Sequence, residues 1–193
     1  MRNGIRPVIW LLGVSGSGKT TLGSLLRLYL EAHDCDVTFV DADRFGSEST
    51  AKGERLVDDL RDYVLEVHEQ DRVCVVSAIT PYASMRRLNR EYIPLYKEVW
   101  LRCDSVTATL RDPRGCYRRS DFCEDFDEPE AVDLILDTDR YDLADCYVAL
   151  RNFAREAVLE GERWSSYLSE LSRPLFSESL SQSVYQSVYQ SVY

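Results

Sequence analysis

A chain of 193 residues, 45% of them apolar, has the length of one domain with a sizeable core. Its formal charge of -10 repels a polyanion over most of the surface, which argues against general nucleic-acid binding. No apolar run approaches membrane-spanning length, and the six cysteines contain no C-x-x-C pair, so the expectation is a cytoplasmic protein with reduced thiols, no structural zinc and no membrane partner.

The first element is the apolar run Val8 to Leu12, short enough for a buried strand. Arg2 and Arg6 ahead of it briefly resemble a signal peptide, but the run is too short and ends in Gly13-Val14-Ser15-Gly16-Ser17-Gly18-Lys19-Thr20. A helical pattern opens at Thr21-Leu22. Strand, glycine loop and helix form the context in which G-x-x-x-x-G-K-[ST] binds a nucleoside triphosphate. The glycines let successive backbone N–H groups face one concavity at a helix N-terminus, Lys19 adds a mobile cation for the outer phosphates, and Thr20 offers a hydroxyl to magnesium. Gly13, Ser15, Gly16, Ser17, Gly18, Lys19, Thr20 and Thr21 are therefore the candidate ATP-binding residues.

Further apolar bursts follow at Val37 to Val40, Val73 to Val76, Val99 to Leu101 and Leu134 to Leu136, with helical patterns between them. Leu22, Leu25, Leu26, Tyr29 and Leu30 mark one helical face, and Leu56, Leu60, Tyr63, Val64 and Val67 another. Asp142 is placed to cap a long final helix carrying Leu143, Tyr147, Leu150, Phe153, Ala157 and Val158. Strands alternating with helices imply an α/β fold with a five-stranded parallel sheet covered on both faces, whose ligand crevice lies beyond the carboxyl ends of the strands.

The third burst ends in Ser77-Ala78 rather than in an acid, so the carboxylates needed beside a nucleotide come from Asp41 and Asp43, after the second burst. If the extended conformation continues, both side chains point the same way. One would support magnesium, with Thr20, while the other accepts a proton from an attacking hydroxyl. None of the three lysines precedes an aspartate by two positions, which argues against a GTPase, and the length leaves no room for a second ATPase domain. A small kinase remains.

The C-terminal stretch repeats Ser-Val-Tyr-Gln from Ser183 onward. Its composition lacks the varied apolar residues of a core, so residues 1–176 are expected to form the kinase domain and 177–193 a disordered tail.

In order along the chain, "GVSGSGKTT", "DAD", "VVSAITPY" with Arg86 and Arg87 behind it, "VWLRCD", "RDPRGCYRR" and "EPEAVDLILDT" resemble the successive motifs of the adenylyl-sulfate kinase family. The resemblance runs from about Val8 to about Thr138, and "RDPRGCY" is similar to that family's lid string. It implies the P-loop nucleoside triphosphate hydrolase fold in its nucleoside-kinase-like form, a lid near residues 111–129, and transfer of the γ-phosphate of ATP, with Mg2+, to the 3′-hydroxyl of adenylyl sulfate in sulfate assimilation. By this resemblance Lys19, Asp41, Asp43 and Arg111 are the candidate catalytic residues, Thr20 and Asp41 the magnesium residues, and Thr80, Pro81 and Tyr82 part of the acceptor site.

The departures from the family cluster on the acceptor side. The segment after "DAD" is short and Gly46 stands at the offset of a family arginine, which leaves Arg44, Phe45 or Arg55 as substitutes. The stretch before "EPE" is compressed too, making Phe122 or Phe126 the candidate to stack on the acceptor's adenine, or else an anchor on the core. The leading expectation is a kinase whose partner is a small, nucleotide-linked hydroxyl compound, with adenylyl sulfate first and a homodimer as an open assembly. The rivals are a kinase with another acceptor, one acting on a nucleic-acid base or terminus through Arg86 to Arg90 and Arg111 to Arg119, and a nucleotide-binding regulator without turnover.

Overall fold

The computed structural model describes residues 5–48, 54–111 and 126–171. Phe122, most of the string expected to form the lid, and the repeat tail lie outside the described residues.

Among the described residues five strands, β1 (Val8–Leu12), β2 (Val37–Asp41), β3 (Val73–Ser77), β4 (Tyr96–Arg102) and β5 (Leu134–Asp137), form one parallel sheet in the order β2-β3-β1-β4-β5. Among the described residues six helices connect and follow them: α1 (Lys19–Glu31), α2 (Ala42–Glu48), α3 (Glu54–Glu69), α4 (Ala83–Tyr92), α5 (Ser105–Arg111) and α6 (Leu143–Leu171). The strands coincide with the apolar bursts, extended by a residue or more at the polar ends of β2 to β5.

β1 is fully buried because both faces of the central strand are covered. On one face Val8, Trp10 and Leu12 pack with Val40, Cys74, Val76 and Trp100 beneath Val57, Leu60 and Val64 of α3 and Met85 of α4. On the other, Ile9 and Leu11 pack with Val75, Val99 and Leu101 beneath Leu22 and Leu26 of α1 and Leu150 and Ala154 of α6. Each buried leucine-sized side chain contributes roughly 1.5–3 kcal/mol of transfer free energy, so these two layers hold the strand ends in place. Cys74 sits inside one of them, and burial pushes its thiol up to about 12.

The expected cap of the last helix is present, with the Asp145 N–H donating to Asp142 Oδ1 at 2.8 Å. Leu143, the first residue of α6, is 51% exposed, whereas Cys146, three positions on, packs into the core with Leu150 and Ala154. Among the described residues, no helix is long and apolar enough to cross a membrane.

Candidate active site

The glycine loop runs from the end of β1 into α1, with Gly18 as the N-cap residue. Two of its glycines are required by close approach as well as by dihedral angle. A Cβ on Gly13, at φ 148, would lie 2.5 Å from the Leu101 carbonyl oxygen, and one on Gly16, at φ 76, would lie 2.4 Å from that of Ala108. The loop is therefore wedged between the end of β4 and α5, which fixes its curvature. Lys19 Nζ reaches back across it and donates to the carbonyl oxygens of Gly13 at 2.8 Å and Val14 at 2.7 Å. Ser17 lies at the bottom of the loop, its buried hydroxyl without a hydrogen-bond partner. Thr21 is exposed on the first turn of α1, and Ser15 is half-buried in the loop.

Thr20 faces the sheet, where its hydroxyl lies 3.5 Å from that of Ser77 at the end of β3. Ser77 is in turn the register partner of Asp41 on β2. Alternation places Asp41 and Ser77 on the α1 face of the sheet, with Val37 and Val73. The extended conformation that would point Asp41 and Asp43 the same way does not continue beyond Asp41. The chain turns at once into α2, because Asp41 Oδ1 accepts the Asp43 N–H at 3.1 Å and so caps that helix. Asp41 consequently stays buried while Asp43 is exposed on the first helical turn.

The second carboxylate oxygen of Asp41, Oδ2, is buried without a hydrogen-bond partner. An orphaned anionic oxygen on the register partner of Ser77, whose hydroxyl lies 3.5 Å from that of Thr20, fits a hard divalent cation that prefers oxygen ligands. Thr20 and Asp41 are the residues here that could hold a magnesium ion.

The remaining candidates lie on α2, α3 and α5, in the turn between β3 and α4, and ahead of β5. Arg44 is exposed on α2 and Arg55 on α3, while Phe45 is half-buried with its ring 5.5 Å from that of Tyr63. Thr80, Pro81 and Tyr82 form the turn between β3 and α4; Pro81 is buried and Tyr82 half-buried against the α3–α4 layer. Thr80 is only 1% exposed, and its hydroxyl accepts the Trp10 indole N–H at 2.8 Å. Phe126 packs on the same layer with the Arg86 guanidinium 5.7 Å from its ring centroid. Arg111, at the end of α5, donates to the Thr138 carbonyl oxygen at 2.9 Å, which ties the α5 terminus to the end of β5.

Two groups were not singled out as site residues by sequence. Ser77 was visible only as the place where an acid was missing; its proximity to Thr20 is a tertiary contact. Arg86 read as surface charge on a helix, yet it is 5% exposed and spends its donors on the Thr80, Pro81 and Asp127 carbonyl oxygens. Burial pulls its guanidinium below the usual arginine range, opposed by the neighbouring Glu98 carboxylate. Arg90 pairs with Glu98 at 3.3 Å and Asp133 at 3.6 Å. With Arg86 and Arg90 so engaged, the basic run between them does not form the continuous surface that a nucleic-acid substrate would need.

The adenylylsulphate kinase family model matches residues 6–136. An adenylyl-sulfate kinase of Deinococcus deserti is 32% identical over 159 residues, covering 74% of this chain and 87% of that protein. One from Bacillus licheniformis is 27% identical over 170 residues, covering 77% and 85%. Among solved structures, the Mycobacterium tuberculosis APS kinase in complex with AMPPNP and APS superposes with a TM-score of 0.66 at 22% identity, covering 75% of this chain and 95% of that one. A sugar kinase from Janibacter reaches 0.59 at 17% identity over 77% of this chain and 94% of its own. At such identities these two share the fold alone.

Proposed function

The chain belongs to the adenylylsulphate kinase family, and on that premise we infer that it is an ATP-dependent kinase which phosphorylates the 3′-hydroxyl of adenylyl sulfate. The observation that carries this reading is the meeting of Asp41, Ser77 and Thr20 at the strand ends, beside a glycine loop whose shape excludes any Cβ at Gly13 or Gly16.

The chemistry assigned to each residue follows from its placement. The loop N–H groups and the start of α1 receive the β- and γ-phosphates, and Lys19 exchanges its carbonyl partners for the outer phosphate oxygens. Magnesium, held by Thr20 and Asp41, would neutralise charge on the β- and γ-phosphates. Asp43, exposed at the rim, accepts the proton of the acceptor hydroxyl as its oxygen bonds to the γ-phosphorus and the bond from that phosphorus to ADP breaks. Arg111 stands one turn beyond Ala108, which touches the loop, and release from Thr138 lets it reach the transferring group. To the acceptor side we assign Thr80 to Tyr82 in the turn after β3, Phe126 packed on the α3–α4 layer, Arg44 and Phe45 on α2, and Arg55 at the start of α3.

The test is ADP release from magnesium ATP in the presence of adenylyl sulfate, compared with nucleosides, sugars and short oligonucleotides. Stimulation by adenylyl sulfate alone supports the reading; stimulation by another acceptor and not by adenylyl sulfate overturns it.

A further inference from the structure

Thr80 holds a backbone conformation that its own side chain disfavours. Its φ of 48 lies in the left-handed region, where a β-branched residue is an outlier. The surroundings enforce it from two directions. Across 70 positions of sequence, Trp10 Nε1 donates to Thr80 Oγ1 at 2.8 Å from the middle of β1. From the other side Arg86 Nη1 donates to the Thr80 carbonyl oxygen at 3.0 Å and to that of Pro81 at 2.9 Å, while Nη2 donates to the Asp127 carbonyl oxygen at 2.9 Å.

Asp127 closes the ring. Its N–H donates to the Pro81 carbonyl oxygen at 2.9 Å, and its Oδ2 accepts the Ala83 N–H, also at 2.9 Å, at the first turn of α4. Arg86 is in turn backed by the buried Glu98 carboxylate, 3.9 Å away. Strained residues persist where the surrounding structure over-determines them, and they concentrate at ligand clamps. A turn needed only to link β3 to α4 would take glycine at this position at no steric penalty.

We propose that Trp10 and Arg86 are positioning residues for the acceptor: by holding Thr80 in its left-handed conformation they keep the Thr80–Tyr82 turn as a preformed wall of the adenylyl sulfate subsite. The proposal rests on the function inferred above and adds which residues outside the site keep its acceptor half in shape. A preformed wall spares the acceptor the cost of ordering the turn on binding. Releasing it therefore raises the acceptor's KM while leaving that of ATP, which binds the glycine loop, in place.

The experiment is steady-state kinetics with both substrates varied, on the full chain and on Trp10→Phe, Thr80→Val, Arg86→Lys and the Trp10→Phe/Thr80→Val double variant, each checked for folding by thermal melting. Trp10→Phe and Thr80→Val break one hydrogen bond from opposite ends. Each is expected to raise the KM for adenylyl sulfate about tenfold, with the KM for ATP within about twofold. The double variant should be no worse than the weaker single one, because both remove the same contact. Arg86→Lys, which cannot reach three carbonyl oxygens at once, should show the same split. If the folded variants keep the wild-type KM for adenylyl sulfate, or raise both KM values together, the positioning role is wrong although the function stands. A wild-type protein that makes no product from adenylyl sulfate would remove the function and this role with it.

Discussion

The Thr20 and Ser77 hydroxyls approach to 3.5 Å where α1 meets the end of β3, and Asp41 stands beside Ser77 on the neighbouring strand. The carboxylate thus reaches the phosphate side of the sheet from β2 rather than from β3. Asp41→Asn keeps the Oδ1 that caps α2 while removing the charge, so folding should persist. Its kcat/KM is expected to fall by about a hundredfold or more, with a higher magnesium requirement. A magnesium titration of initial rates checks this, and an unchanged requirement would remove Asp41 from the metal site.

Asp43 has the opposite exposure and, by the proposed mechanism, the opposite effect. Asp43→Asn should reduce kcat by about 10²–10⁴-fold while ATP affinity changes little, because only proton acceptance is lost. Calorimetric ATP binding beside single-turnover rates separates the two. Unchanged turnover would show that Asp43 is not the base.

Lys19 bridges two loop carbonyls, so it both shapes the loop and supplies its cation. Lys19→Ala is expected to lower kcat by about 10²–10³-fold or more, in the range found for removing a preorganised donor from a developing charge. Rates retained within tenfold would leave the loop as a structural turn.

Gly16→Ala tests the wedge against α5. A methyl group there meets the Ala108 carbonyl oxygen at 2.4 Å and also faces a positive φ. The expected penalty is on the order of 1–3 kcal/mol, read as a lower melting temperature together with weakened ATP binding. Full stability would mean that the loop and α5 separate freely.

Arg102 on β4 holds the carboxyl of Asp137, its register partner on β5, below the usual carboxylate range, chiefly through their hydrogen bonds. Folding depresses this pKa, so its contribution to stability is complete above the unfolded value of about 4 and is lost as pH falls through the lower folded one. Asp137→Asn should flatten that acid-side decline and leave the pH dependence above about 5 unchanged. Melting temperatures between pH 3 and 7 test the sign; the effect is small because Arg102 is solvated.

Much of the frame was legible because it rests on local rules. Val8 to Leu12, the glycine loop and the Asp142 cap each declare themselves within a few residues. Asp41 was legible as a carboxylate at a strand end but not as a cap, since only the fold shows that the chain turns helical at Ala42. Trp10 with Thr80 and Arg86 with Asp127 were hidden for another reason. Each pair is 41 or more positions apart, and nothing in either residue's neighbourhood marks the other. A charge run such as Arg86 to Arg90 reads as solvated helix surface until Glu98, on a buried strand, gives it partners.

The most direct test of the function is identification of the product formed from magnesium ATP and adenylyl sulfate, by mass spectrometry with phosphorus NMR to locate the new phosphate. The expected products are 3′-phosphoadenylyl sulfate and ADP in equal amounts. Adenylyl sulfate recovered unchanged while another hydroxyl compound in the same mixture gains the phosphate would contradict that function.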